Sequence, residues 1–192
     1  MRVHIQGGRL IDPANAVDGY QDLYIADGHV VGVGEAPDGF TADRVIDAAG
    51  KVVCPGLVDL QARLREPGQE HKATILSETT AAAAAGITTL CCPPDTDPVI
   101  DTPAVAELIH QRASLAGKAR VLPLGALTPG LEGQHIAEME SLKRAGCAGV
   151  GNAGFAITNT LVLRRAMEYA ATHDLTIFLC PEDPWLGEGG CA

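Results

Sequence analysis

Side chains able to hold a metal ion or attack a carbonyl are present in this chain, but their spacing assembles neither chemistry. The six histidines are His4, His29, His71, His110, His135 and His173, and no two form H-x-H or H-x-x-x-H, the second being a spacing that sets two ligands on one helix face. Each is expected at the surface or as a cap. His71, in the run Glu70-His71-Lys72, is also placed to touch a small anion. The six cysteines, Cys54, Cys91, Cys92, Cys147, Cys180 and Cys191, contain no C-x-x-C pair. Cys91 and Cys92 are adjacent, and adjacent strand residues point to opposite faces, so they do not join Cys180 in a thiolate site. Cys54, Cys92 and Cys147 lie among apolar or small residues and are expected to be buried structural cysteines. Asp95 and Asp97, one residue apart in a proline-rich turn, are expected to cap backbone groups. Arg65 is expected to brace its loop through Glu66 or Asp59. No Ser/His or Cys/His pair is arranged for nucleophilic attack.

Two kinds of element must position these residues. Up to about residue 55 the chain reads as short strands, Val3–Ile5, Gln21–Ile25, Val30–Gly34 and Val45–Asp47, separated by turn formers such as Gly7-Gly8 and Asp12-Pro13. Asp27-Gly28 between two apolar runs predicts a hairpin. This is a small β module, taken as a β-sandwich over residues 1–55.

From Leu57 the pattern alternates strand and helix. Strands are expected at Leu57–Gln61, Ile87–Cys91, Ala119–Leu124, Gly149–Gly151 and Leu175–Cys180. Helices are expected at Lys72–Ala85, from Thr102-Pro103 to Gly117, at Gln134–Ala145 and at Leu161–Thr172. Gly86, Gly117 and Gly146 stop the first three, and Thr102 with Pro103 opens the second. The small side chains Ala81–Ala85 are expected to let the first helix lie close to the sheet. The last helix carries Leu163, Ala166, Met167 and Ala170 on its apolar stripe.

Such alternation predicts an α/β fold with a parallel sheet. No G-x-G-x-x-G or G-x-x-x-x-G-K-[ST] favours a nucleotide-binding open sheet. A (β/α)8 barrel takes about 250 residues, whereas roughly 135 follow the β module, enough for about half. The expectation is a partial barrel over residues 56–192, truncated after its fifth strand.

Composition narrows the function. The 192 residues are 46% hydrophobic with a net charge of −10. This balance disfavours nucleic acid and anionic membrane surfaces, both of which want basic groups. No apolar run approaches the roughly 20 residues of a membrane span. The start, Met1-Arg2-Val3-His4, is not an apolar signal core. With no paired cysteines, a reduced cytoplasmic setting is expected.

The segment Pro55-Gly56-Leu57-Val58-Asp59-Leu60-Gln61-Ala62-Arg63-Leu64-Arg65-Glu66-Pro67-Gly68 resembles the first barrel strand and following loop of the dihydroorotase branch of the amidohydrolase superfamily. Gly7–Pro13, Asp22–Val30 and Val45–Gly56 are similar to the family's lead into the barrel. Cys92-Pro93-Pro94-Asp95-Thr96-Asp97-Pro98 resembles its M-P-N-T-N-P segment, and Leu124–Thr128 and Pro181-Glu182-Asp183-Pro184 also match. The resemblance covers essentially the whole chain and implies a metal-dependent cyclic amidohydrolase scaffold.

The resemblance also implies where the chemistry would sit. The two histidines that bind the catalytic zinc in active relatives fall on Gln61 and Arg63. The acidic ligand of the family's Asp-Asp-Gly falls on Ala153, within Asn152-Ala153-Gly154. A later histidine falls on Cys180. An amide is a poor zinc ligand, and a guanidinium has no lone pair to give. Arg65 stands where the family grips the substrate carboxylate. The asparagine sharing that task is Asp95, whose charge repels an anion. Arg65 and Asp95 are thus a vestigial anion contact. An Arg63–Asp95 ion pair filling the vacated metal position is expected.

The resemblance therefore points to a catalytically inactive homologue with no metal cofactor. In some bacteria such a chain assembles with the catalytic chains of aspartate carbamoyltransferase, so the resemblance implies a structural, assembly role with that partner in de novo pyrimidine synthesis. Two alternatives stand beside it: an active dihydroorotase with non-standard ligands, and a truncated, non-functional reading frame.

Overall fold

The computed structural model describes residues 1–183 and 185–186. Pro184 of the Pro181–Pro184 match, Cys191 and the Gly189-Gly190-Cys191-Ala192 stretch lie outside the described residues. The chain divides into two compact units, Met1–Pro55 and Gly56–Ala192.

The first unit contains seven strands: β1 (Arg2–Gln6), β2 (Arg9–Asp12), β3 (Val17–Tyr20), β4 (Leu23–Ala26), β5 (His29–Val33), β6 (Arg44–Asp47) and β7 (Val52–Val53). They form a four-stranded sheet, β5-β4-β1-β6, and a three-stranded sheet, β3-β2-β7. The β4–β5 hairpin turns at Asp27-Gly28 with both φ positive, 51° and 80°, as a two-residue turn requires. Sequence patterning does not reveal β2, β3 or β7. They are short, and β3 contains Asp18 and Gly19, both poor strand formers. Arg9 on β2 grips Asp18 across the ladder at 2.7 Å. His4 is neither a surface residue nor a cap. It is half-buried, stacks on Tyr24 and meets Asp22 at 2.8 Å.

The second unit contains β8 (Leu57–Asp59), α1 (Ile75–Ala84), β9 (Ile87–Cys92), α2 (Pro103–Ala116), β10 (Arg120–Ala126), α3 (Met139–Arg144), β11 (Gly149–Gly151), α4 (Thr160–Thr172) and β12 (Thr176–Phe178). All four strand pairings are parallel, and the order is β12-β11-β10-β9-β8. Each new strand joins the same side as the last. A doubly wound sheet reverses direction at a switch point, whereas a (β/α) barrel does not.

Local chemistry moves several expected boundaries. α1 opens at Ile75, because Thr74 and Ser77 form a reciprocal capping box just before it. Pro103 opens α2 and left-handed Gly117 closes it, but the Thr102 side chain makes no cap bond. α3 begins at Met139 and not Gln134, because the Ala137 N–H is taken by the Leu127 carbonyl at 2.9 Å. Of Ala81–Ala85, only Ala82 is half-buried. α1 faces inward through Ile75, Thr79 and Ala82, the helical i, i+4, i+7 set, so the alanine run is not a packing face. Met167 is 47% exposed, so the inward stripe of α4 rests on Ala166 and Ala170.

The core has two parts. Leu64, Ile75, Ile100, Ile109 and Leu142 join Leu90 and Val121 of the sheet. Beneath α4, Ala166 and Ala170 pack with Leu127, Met139, Val150 and Leu175. Among the described residues no helix is long and apolar enough to cross a membrane.

Candidate functional site

The loops leaving the C-terminal ends of β8, β9, β11 and β12 carry Gln61, Arg63 and Arg65, Asp95, Ala153, and Cys180, the positions to which the resemblance points. In parallel α/β architectures this is the end where ligands bind. A cavity of about 350 Å³ opens there, and Gln61, Arg63, Ala153 and Cys180 all line it, beside apolar groups such as Leu60 and Phe178. The structure therefore brings together the four positions on which the resemblance sets the family's ligands.

Arg63 is the most connected of the four. Its Nε donates to Asp95 Oδ2 at 2.6 Å, forming the expected ion pair. Its Nη2 donates to the Ala153 carbonyl at 3.4 Å, a contact sequence reasoning missed. Asp95 is thus held by a guanidinium and does not cap backbone. Asp97 makes no side-chain hydrogen bond among the described residues, so the capping expectation fails for both.

Arg65 does not reach Glu66 or Asp59. Its Nη1 lies 3.4 Å from Gln69 Oε1. Glu66 is already engaged: Oε1 accepts from Arg112 at 2.5 Å, and Oε2 accepts from the Ile75 N–H at 2.6 Å. Asp59 Oδ1 accepts from the Gln61 N–H at 2.9 Å. Arg112 of α2 also reaches Glu70 at 3.2 Å. The Glu70 carboxyl is held below its ordinary value by its own N–H and that of Gly68, with Arg112 adding to them. Gly68 seats this loop against the next one. At φ 101° a Cβ there would stand 2.4 Å from the Asp97 carbonyl oxygen. Arg65 and Asp95 line one small cavity of about 10 Å³. His71 is exposed and lines neither cavity.

The turn after β11 is fixed from behind. Asn152 is 3% exposed. Its Oδ1 accepts from the Thr128 hydroxyl at 2.8 Å, and its Nδ2 donates to the carbonyls of Leu131 (3.2 Å) and Phe155 (3.0 Å). Thr128 Oγ1 accepts in turn from the Gly133 N–H at 3.0 Å. Every polar atom of this buried amide has a partner. Nothing in the local sequence signals the network, because its directly bonded partners are up to 24 residues apart.

The cysteines separate by burial. Burial pushes the Cys92 and Cys147 thiols up to about 12. Cys91 is also raised, by burial first and then by Asp59. Cys180 is exposed at the cavity. Cys54 is exposed too, against expectation, since small neighbours do not cover it. His110 also departs from a surface or capping role, because its Nε2 is buried without a hydrogen-bond partner among the described residues.

Zinc takes imidazole nitrogen, thiolate sulfur or carboxylate oxygen, usually four together. The four positions offer an amide, a guanidinium, a methyl group and one thiol. Among the described residues no three His, Cys, Asp or Glu side chains converge. The side chains at this mouth do not fit the ion.

Comparison with known proteins agrees with the architecture. The Dihydro-orotase-like family profile matches residues 50–192. The chain is 51% identical over 192 residues to the dihydroorotase-like protein of Pseudomonas aeruginosa, covering all of this chain and 45% of that protein. It is 44% identical over 179 residues to the dihydroorotase of Anaeromyxobacter dehalogenans, covering 93% of this chain and 41% of that one. The chain thus spans less than half the length of these curated relatives. The L-hydantoinase (dihydropyrimidinase) of Arthrobacter aurescens superposes with a TM-score of 0.81 at 22% identity, covering 97% of this chain and 42% of that one. That likeness shows a shared fold. On the family match and the identity to these relatives, the chain belongs to the dihydroorotase-like family.

Proposed function

We propose that this chain is a non-catalytic dihydroorotase homologue that serves as a structural and assembly subunit of aspartate carbamoyltransferase, in cytoplasmic de novo pyrimidine synthesis. One observation carries the inactivity: Gln61, Arg63, Ala153 and Cys180 meet at one cavity and offer a single zinc-competent group. Without a metal, opening a cyclic amide needs another strong nucleophile and oxyanion support. The vestigial anion contact points the same way, because Asp95 puts a carboxylate beside Arg65 where an anionic substrate would bind. The assembly role follows from the fold being kept while its chemistry is removed, since a barrel surface and a barrel mouth vary independently. In the first unit, buried Val3 of one sheet and Leu10 of the other support reading the two sheets as layers of a small β-sandwich. The second unit is read as part of a (β/α)8 barrel.

Metal analysis of the purified chain, together with dihydroorotate turnover, tests the first half. Substoichiometric zinc and no turnover are expected, and metal-dependent turnover overturns it. Sedimentation velocity of this chain mixed with aspartate carbamoyltransferase catalytic chains from the same organism tests the second half. A larger joint species is expected, and unchanged boundaries overturn the assembly role. The second reading, an active dihydroorotase with other ligands, is favoured by relatives named dihydroorotase at 44% identity. The turnover assay decides between the two.

A further inference from the structure

We infer that Arg63 is a built-in cation that cross-links the loops after β8, β9 and β11, doing structurally at this mouth what a bound metal ion would do. The inference rests on the metal-free reading above and adds how the mouth is held together. Arg63 follows β8, Asp95 follows β9 and Ala153 follows β11. The guanidinium donates to both of the others, at 2.6 Å and 3.4 Å. A metal joins strands by accepting lone pairs from ligands on each. A planar guanidinium joins them by donating hydrogens in fixed directions, so it needs oxygen acceptors. Asp95 supplies a carboxylate acceptor. Ala153 supplies its backbone carbonyl, so a residue whose side chain has nothing to coordinate still serves.

That carbonyl is held in place by its surroundings. Ala153 sits at φ 51°, a left-handed conformation that a non-glycine residue holds only under constraint. Asn152 provides the constraint, anchored to Thr128, Leu131 and Phe155. The cross-link therefore runs from β8 through Arg63 into a buried, fully bonded amide. A guanidinium stays charged across the whole working pH range. The clamp consequently owes nothing to zinc supply or to chelators.

The test compares Arg63→Ala, Arg63→Lys, Asp95→Asn and the double variant Arg63→Ala/Asp95→Asn, by chemical denaturation and hydrogen exchange, with and without EDTA. Asp95→Asn conserves shape and keeps the cycle usable if Arg63→Ala folds poorly. Both side chains are partly exposed, 40% and 20%, so the interaction is screened. The cycle is expected to show a coupling of about three- to tenfold in the folding constant. Exchange at residues 95–97 and 152–155 rises in Arg63→Ala. Arg63→Lys keeps the charge near Asp95 but lacks the fork, so exchange rises mainly at 152–155. EDTA changes nothing in the parent chain. Additive single variants with unchanged exchange in both segments overturn the clamp. A parent chain destabilised by EDTA overturns the metal-free reading instead, so the two failures are distinct.

Discussion

Asn152→Asp is the substitution that separates a decorative polar residue from one that fixes the site. By resemblance it returns the first acid of the family's Asp-Asp-Gly, and it conserves size and shape. The amide is 3% exposed and makes three hydrogen bonds, two of them by donating to carbonyls at 3.2 and 3.0 Å. A carboxylate keeps the Thr128 bond and turns both donations into contacts between an anion and lone pairs. Losing two neutral hydrogen bonds and orphaning two buried carbonyls costs about 3 kcal/mol. The new carboxyl responds by holding its proton, so its folded pKa rises above the unfolded value near ~3.9. Stability is then retained below the unfolded value and lost as pH climbs through the folded one. The loss is about 1.4 kcal/mol for each pH unit that separates the two values. Asn152→Ala loses about 3 kcal/mol as well, through three orphaned partners, but gains no new titrating group. Urea denaturation followed by far-ultraviolet circular dichroism at pH 5 and pH 8 reads both effects. Asn152→Asp should be clearly weaker at pH 8 than at pH 5, relative to the parent, while Asn152→Ala keeps the parent's pH dependence. An Asn152→Asp chain within about 0.5 kcal/mol of the parent at both pH values would refute the reasoning, since that is the scatter of neutral surface substitutions.

Three further outcomes can be checked on the same purified chain. Glu66→Gln removes the charge that holds Arg112 and weakens the bond to the Ile75 N–H; a loss of about 1–2 kcal/mol is expected by denaturation, with little added by Arg112→Ala on top. Iodoacetamide at pH 8 should modify exposed Cys54 and Cys180 in the native chain, while Cys92 and Cys147, raised to about 12 by burial, label only on unfolding; peptide mapping that finds Cys92 labelled as fast as Cys54 contradicts this packing. Asp22 is held low first by the Gly7 N–H and then by His4; its contribution is present above its unfolded value near ~3.9 and lost as pH falls below it, so Asp22→Asn should flatten the acid limb of unfolding.

What the sequence revealed, and what it concealed, divides along the range of the forces involved. Turn and cap chemistry is local, and Asp27-Gly28, Pro103 and Gly117 sit where their conformational preferences place them. The parallel alternation from Leu57 onward is likewise carried by short-range pattern. The Arg63–Asp95 pair, 32 residues apart, was legible only because a family resemblance supplied the missing distance information. Contacts without that help stayed hidden. Arg112 meets Glu66 across 46 residues, and Arg63 meets the Ala153 carbonyl across 90. A backbone acceptor leaves no mark on residue identity at all. Propensity also misjudged Gln134–Glu138, a good helical stretch, because a hydrogen bond from the Ala137 N–H to the Leu127 carbonyl just past β10 keeps it out of the helix.

On the proposed metal-free reading, the residues at the mouth are mutually compatible, and this bears on how such a mouth can lack a metal and keep its fold. A zinc site stripped of its ion leaves lone pairs and anionic oxygens facing one another. Arg63 answers that problem with a permanent positive charge, and Asp95 balances it at 2.6 Å. Ala153 brings no polar side chain, and the guanidinium reaches its backbone carbonyl instead, at 3.4 Å. Each change makes sense in the presence of the others and is costly alone. Returning only Arg63 to histidine leaves Asp95 without its partner, and returning only Asp95 to asparagine leaves an unbalanced guanidinium beside a carbonyl. Neither single step restores ligands at Gln61, Ala153 or Cys180. On the proposed reading, building a metal site at this mouth would therefore take several substitutions together, because each one made alone leaves the Arg63–Asp95 pair unbalanced.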